Sequence, residues 1–78
     1  MVQELDTVAL THDISEYGLE QGDVGAVVHC YKDGLSYEVE FVTADGKTIA
    51  LLTLNQADIR SMSGREVLHT RELVEVTR

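Results

Sequence analysis

The sequence predicts an all-β fold: a small SH3-like, partly open barrel of about five short strands with a 3₁₀ turn and an additional C-terminal strand. Four stretches have the alternation or the β-branched composition that is typical of strands. Two Asp-Gly pairs, Asp33-Gly34 and Asp45-Gly46, predict hairpin turns, because glycine tolerates a positive φ. The 78 residues are enough for one small domain and not for two.

The first half of the chain predicts two strands separated by a long loop. Residues 4–11, ELDTVALT, alternate between two faces and predict the first strand. Residues 12–23 are polar and contain two glycines, which predicts a loop, and residues 24–31, VGAVVHCY, predict the second strand. Gly22 and Gly25 lie where the loop ends and this strand begins. We expect them to serve the fold, through a positive φ or a backbone approach too close for a Cβ.

A phosphate-binding loop is the alternative interpretation of the glycines in residues 18–25, GLEQGDVG. The stretch lacks the Lys-Ser/Thr of such loops, and a strand follows it where a phosphate site needs a helix N-terminus. Glu20 and Asp23 would repel a phosphate. The sequence therefore favours a bend at the corner of a barrel, and we assign structural roles to four glycines: Gly22, Gly25, Gly34 and Gly46.

The second half predicts a third and a fourth strand, and then a short fifth. Residues 36–43, SYEVEFVT, alternate most clearly, and residues 48–54, TIALLTL, are apolar enough to be covered on both faces. Residues 55–59, NQADI, suit one 3₁₀ turn, after which residues 60–62 can resume as the fifth strand. The predicted core consists of the inward-facing positions of strands two to four: Val27, Tyr37, Val39, Phe41, Ile49 and Leu51.

The C-terminal stretch fits two structures. Residues 64–78, GREVLHTRELVEVTR, are compatible with a helix or with a strand, and LVEVT favours the strand. We therefore expect a single SH3-like domain over residues 1–78, with a barrel over residues 1–62 and a C-terminal extension over residues 63–78.

The charge distribution excludes some classes of partner. The net charge is −8, with ten acidic residues and one basic residue in residues 1–46 and four acidic and five basic residues in residues 47–78. Nucleic-acid backbones and anionic membranes both require clustered Lys and Arg, so neither is an expected partner. The chain shows no signal peptide and no apolar run long enough to span a membrane, which predicts a cytoplasmic location.

The residue types that support metal binding or catalysis do not occur in the required spacing. His29 and Cys30 are adjacent on a strand and face opposite sides, and no C-x-x-C or H-x-x-x-H spacing exists. No nucleophile motif accompanies them. We expect no metal site, no cofactor and no catalytic residue, and therefore no enzyme.

Two tyrosines and the basic tail are the candidate interaction residues. SH3-like barrels often bind peptides on aromatic residues near the first loop and the first hairpin, the expected positions of Tyr17 and Tyr31. The apolar residues of 66–76 must be buried somewhere. A two-fold pairing would cover them together with a sheet edge. We expect a homodimer held by this segment, with His69 and Arg71 at or near the interface. The alternative is a docking arm, disordered until another protein binds it.

Several short motifs are specific in combination. They are Leu5-Asp6, Gly22-x-x-Gly25-x-Val27-Val28, Tyr37-Glu38-Val39-Glu40-Phe41, Leu52-Thr53-Leu54 and His69-x-Arg71. Taken together, they resemble a bacterial family of domains of unknown function, number four-nine-two-six. The members of that family are small, soluble and uncharacterised, so the resemblance carries over no catalytic residue. At the level of fold the pattern is also similar to SH3-like accessory subunits of photosynthetic and nitrile-hydratase complexes, which are docking modules.

Two functions compete at this point. The first is a non-catalytic protein-interaction module, an accessory or antitoxin-like partner of a larger bacterial protein whose identity the residues do not give. The second is a homodimer that binds a small ligand or a metal. Co-purification with a partner would favour the first, and ligand-induced thermal stabilisation would favour the second.

Overall fold

Five antiparallel strands form one sheet in the computed structural model, which describes residues 2–73. The strands are β1 (Thr7–Leu10), β2 (Val24–Cys30), β3 (Ser36–Val42), β4 (Thr48–Asn55) and β5 (Ile59–Ser61). Their order in the sheet is β4-β3-β2-β1-β5, so the last strand returns to pair with the first. The sheet does not close between β4 and β5. The all-β prediction is confirmed, and the open sheet fits a partly open barrel.

Both predicted hairpin turns are present. Gly34 has a φ of 70° and Gly46 a φ of 87°, the left-handed values that the Asp-Gly pairs predict. In the first turn, the carboxylate of Asp33 accepts hydrogen bonds from the backbone N–H groups of Leu35 and Ser36, at 2.7 and 3.1 Å. These bonds fix the turn that leads into β3, so the local sequence determines this hairpin.

The 3₁₀ turn lies elsewhere than predicted. It spans Ser15–Tyr17, within the loop between β1 and β2, where an isolated pairing of Ile14 with Leu19 closes the chain over these three residues. The predicted position, residues 55–59, contains an ordinary turn between β4 and β5. There the carboxylate of Asp58 accepts a hydrogen bond from the N–H of Asn55 at 3.0 Å. Side-chain hydrogen bonds of this kind stabilise a turn without a 3₁₀ helix.

The core confirms four of its six predicted residues: Val27, Tyr37, Val39 and Phe41 are buried. The prediction is wrong for Leu51, because its side chain is 55% exposed, and Ile49 is only partly buried. The reason is a β-bulge: Phe41 pairs with Ala50 but Val42 pairs with Thr48, which leaves Ile49 as an extra residue. Beyond the bulge the alternation in β4 is shifted by one residue. The other buried apolar side chains are Val8, Ala9, Leu10, Leu19, Ala50, Leu54 and Ile59.

Gly22 and Gly25 have the two properties that the sequence predicts for them. Gly22 has a φ of 92°, which a residue with a Cβ rarely adopts. Gly25 is buried on the core face, where a Cβ would lie 2.7 Å from Cγ1 of Val39 and 2.8 Å from Cε1 of Phe41. The absence of a side chain at Gly25 therefore leaves room for Phe41, the largest fully buried side chain of the core.

The C-terminal segment, residues 62–73, forms neither a strand nor a helix. The predicted additional strand over residues 66–76 is therefore wrong for residues 66–73, and residues 74–76 lie outside the described residues. Side-chain contacts replace strand pairing here. Glu66 accepts hydrogen bonds from Arg60 Nη1 at 2.6 Å and from the N–H of Ser63 at 2.5 Å, which turns the chain as it leaves β5.

Candidate functional site

A groove of about 590 Å³ lies between the sheet and the C-terminal segment. One wall comes from the loop before β2, the end of β3 and the start of β4, and the other comes from residues 68–73. The first wall is mostly apolar and contains one carboxylate. Its main residues are Leu19, Asp23, Phe41, Val42 and Ile49, and those of the second wall are Leu68, His69, Arg71 and Leu73.

The two walls are joined by a bidentate ion pair. Arg71 donates from Nε to Oδ1 of Asp23 at 2.9 Å, and from Nη2 to Oδ2 of Asp23 at 2.5 Å. Nη2 also donates to the carbonyl oxygen of Gly18 at 2.8 Å, and a carboxylate oxygen of Glu20 lies 3.7 Å from Nε. The side chains of Arg71 and Asp23 are only 17% and 12% exposed. Charge-assisted pairs of this geometry are among the stronger hydrogen bonds in proteins.

The Asp23 loop, residues 18–23, holds its carboxylate in place through its own backbone. The N–H of Glu20 donates to Oδ2 of Asp23 at 2.8 Å, and the N–H of Asp23 donates back to the carbonyl of Glu20 at 2.9 Å. The loop is fixed to the end of β1 because Leu10 exchanges backbone hydrogen bonds with Gly22 and Asp23, each 2.9 Å long. The acceptor side of the ion pair is therefore built by the sheet and its first loop.

The electrostatics of the pair favour its charged form. Burial acts to raise the pKa of Asp23, but the hydrogen bonds from Arg71 and from the N–H of Glu20 outweigh it, and the pKa lies below its ordinary value. The hydrogen bond to Asp23 likewise raises the pKa of Arg71, against a smaller effect of burial. Both groups are therefore ionised at neutral pH.

The structure brings together two of the four candidate interaction residues. His69 and Arg71 both line the groove, whereas Tyr17 and Tyr31 are not among its residues. Tyr17 lies in the 3₁₀ turn and is partly exposed. Tyr31, also partly exposed, contacts the ring of His29 edge-on with centroids 4.8 Å apart. The predicted homodimer through the C-terminal segment stays a prediction.

The central residue of the site, Asp23, was not predicted from the sequence, which marked it only as a group that would repel phosphate. Its partner Arg71 lies 48 residues further along the chain. No periodicity links two residues so far apart. The available signal was the charge asymmetry, since the acidic first part and the basic last part of the chain can pair within one molecule.

The described residues contain no arrangement of ligands for a metal. In residues 2–73, no group of three or more His, Cys, Asp or Glu side chains is placed to hold an ion. His12 instead pairs with Asp58 at 2.8 Å. Cys30 is a partly buried free thiol. No helix within residues 2–73 has the length and apolar character needed to cross a membrane.

Comparison with known proteins identifies a family. The model of a family described as Domain of unknown function (DUF4926) matches residues 4–61. Searches of curated proteins and of solved structures found no match. The matched range contains all five strands and Asp23, and it ends before the C-terminal segment with His69 and Arg71. The resemblance noted from the sequence is thereby confirmed for the sheet: the chain belongs to the DUF4926 family.

Proposed function

We propose that the chain is a non-catalytic protein-interaction module, which receives an extended segment of a partner protein in its groove. The observation that supports this proposal is the segment that already lies there. Residues 68–73 have no regular secondary structure, contribute Leu68 and Leu73 to the groove, and are anchored by Arg71. A surface that holds one extended segment has the shape and the polar anchor that another such segment requires.

The composition of the first wall fits this role. Ile49 and Val42 offer apolar contact, and Asp23 offers a fixed charge that sets the register of a bound segment. Val42 lines the same wall and is 50% exposed, so the groove remains partly uncovered beside the C-terminal segment. In this role the protein would act as an accessory or antitoxin-like partner of a larger bacterial protein.

One observation favours a second candidate, a protein that binds a small apolar molecule. The groove volume of about 590 Å³ lies within the range of roughly 300–1,000 Å³ that is common for ligand pockets. A small molecule would occupy the space between the two walls without displacing residues 68–73. It would copurify with the protein and raise its melting temperature.

Two matched substitutions test the proposed function. Val42→Lys places a charge in the groove, and Leu51→Lys places the same charge at a similarly exposed position that does not line it. Immobilised full-length protein is used to capture partners from a native lysate, after circular dichroism has shown that both variants fold. We expect a protein that wild type and Leu51→Lys retain equally, and that Val42→Lys loses about tenfold, equivalent to ~1.4 kcal/mol. Equal capture by both variants would contradict binding in the groove.

A further inference from the structure

We infer that the Asp23 loop is an arginine-recognition site: Arg71 fills it in the free protein, and an arginine of the partner's extended segment fills it in the complex. This inference rests on the proposed function and specifies the chemistry of the partner. The segment that fits carries one arginine with apolar residues on either side, as residues 68–73 do. The C-terminal segment then competes with the partner for the same site.

The hydrogen-bond geometry selects arginine over lysine. Two nitrogens of the Arg71 guanidinium meet the two oxygens of one carboxylate, and one of them also reaches the carbonyl of Gly18. A planar guanidinium presents its N–H groups in this fork, whereas a lysine ammonium is a point charge on a flexible stem. A lysine at the same place satisfies fewer of these acceptors.

Contacts other than the one with Arg71 also hold the acceptor groups in position. Asp23 is held by the N–H of Glu20 and by the backbone hydrogen bonds between Leu10 and the loop. The family match also contains the acceptor side, since it covers residues 4–61, but not Arg71. The site therefore exists as part of the domain, and the C-terminal segment is one occupant of it.

The C-terminal segment fills the groove incompletely. Leu68 is 65% exposed and Leu73 is 43% exposed, so much of the apolar surface on either side of Arg71 stays in contact with water. Free energy from apolar burial scales with the area removed from water, at about 25 cal/mol per Å². A partner segment whose apolar residues cover Val42 and Ile49 more completely gains this additional burial and displaces the C-terminal segment.

A peptide-binding experiment on the full chain tests the inference. The probe is a fluorescein-labelled peptide with the sequence of residues 67–73, VLHTREL, and its binding is measured by fluorescence polarisation. We expect Arg71→Ala to bind it at least about tenfold more tightly than wild type, because the internal competitor is released. Arg65→Ala is the control, since Arg65 belongs to the same segment but does not line the groove. It should bind as wild type does.

Two further measurements test recognition of the arginine itself. Replacing the arginine of the peptide with lysine should weaken binding to Arg71→Ala about tenfold, and adding Asp23→Asn should weaken it at least as much. If Arg71→Ala does not fold, the peptide is titrated into wild type at millimolar concentration, and the ¹⁵N resonance of Arg71 Nε reports displacement. A shift of that resonance supports the inference, and an unchanged resonance contradicts it.

The remaining outcomes overturn the inference without deciding the proposed function. Equal binding of the peptide by wild type and Arg71→Ala would show that Arg71 does not compete for the site. Equal binding of the arginine and lysine peptides would show that the site does not recognise arginine. A wild-type dimer in light scattering that becomes a monomer in Arg71→Ala would place a second copy in the site, and not a different protein. The proposed function fails separately, through the Val42→Lys capture experiment.

Discussion

The sheet and the C-terminal segment are held in place by opposite kinds of residue. In the sheet, the apolar side chains are the buried ones, and β3 alone buries Tyr37, Val39 and Phe41. In the segment, Val67 is 93% exposed, and the side chain that contacts the rest of the protein most closely is that of Arg71. The apolar burial of the sheet is spread over many residues, whereas the segment is held by charged side chains, Glu66 on Arg60 and Arg71 on Asp23. We therefore expect that the segment can be released while the sheet stays folded.

The largest expected loss of stability tests the apolar burial that holds the sheet together. Phe41→Ala removes the largest fully buried side chain and should lower the free energy of unfolding by about 3–5 kcal/mol. Urea denaturation followed by circular dichroism measures this free energy. A variant that is already unfolded without urea would also agree with the expected loss. Leu51→Ala, on the exposed face of β4, should change the free energy by less than about 0.5 kcal/mol. A loss below about 1 kcal/mol for Phe41→Ala would contradict the core described here.

A smaller loss of stability is expected for a substitution at Gly25, where the core has no room for an added Cβ. The Cβ of Gly25→Ala would meet Val39 and Phe41 at less than 3 Å, so the core must shift, and we expect a loss of about 1–3 kcal/mol. Gly64→Ala is the matched control, because nothing lies within 4 Å of its added Cβ. It should change the unfolding free energy by no more than about 0.5 kcal/mol. A stabilised Gly25→Ala protein would show that the Phe41 ring can move aside.

The ion pair of the segment should contribute less than either core residue. Arg71→Ala leaves the carboxylate of Asp23 without its partner and should cost about 1–2 kcal/mol at pH 7. The folded-state pKa of Asp23 is lowered, so this contribution is present above the unfolded carboxyl pKa of about 3.9 and is lost as the pH falls through the folded value. The stability difference from wild type should thus persist from pH 7 to about 5 and close below about 4. A constant difference down to pH 2.5 would exclude Asp23 as its source.

The smallest expected effect concerns an exposed polar contact between loops of the sheet. The hydrogen bond with the Asp58 carboxylate, helped by the carbonyl of Asp13, raises the pKa of His12 above its ordinary 6.5. The stability it contributes is therefore present below that value and lost as the pH rises through the folded-state pKa. NMR titration of the imidazole should show the raised pKa in wild type and a lower one in Asp58→Asn. An unchanged pKa in Asp58→Asn would assign the shift to another group.

The parts of the fold that local patterns determine could be predicted from the sequence. The alternation of β3 and its flanking Asp-Gly turns are set within a few residues, and all of them were predicted. It could not be predicted which residues of β4 point into the core. This depends on a bulge that is created by pairing with β3, and not by the residues of β4 alone. Leu51 was assigned to the core for that reason.

The candidate site was predicted only on its C-terminal side. His69 and Arg71 were expected at an interface, and both line the groove, but the acceptor Asp23 was not identified. An ion pair between residues 48 positions apart leaves no periodic signal in the sequence. The strand expected over residues 66–76 was inferred from apolar composition. In residues 66–73 the contacts that position the chain are made by two charged side chains, Glu66 and Arg71, which composition ranks as surface residues.

The position of β1 within the sheet affects the risk of aggregation during synthesis of the chain. β1 precedes the other strands in the chain, yet it lies between β2 and β5, and Val8 pairs with Ser61. While the ribosome extends the chain from β2 to β4, one edge of β1 has no partner, although all three of its apolar residues become buried in the finished protein. Such an edge is a template for aggregation. A nascent chain that is interrupted before β5 contains four of the five strands and leaves this edge of β1 unpaired. We expect such chains to depend most strongly on chaperones.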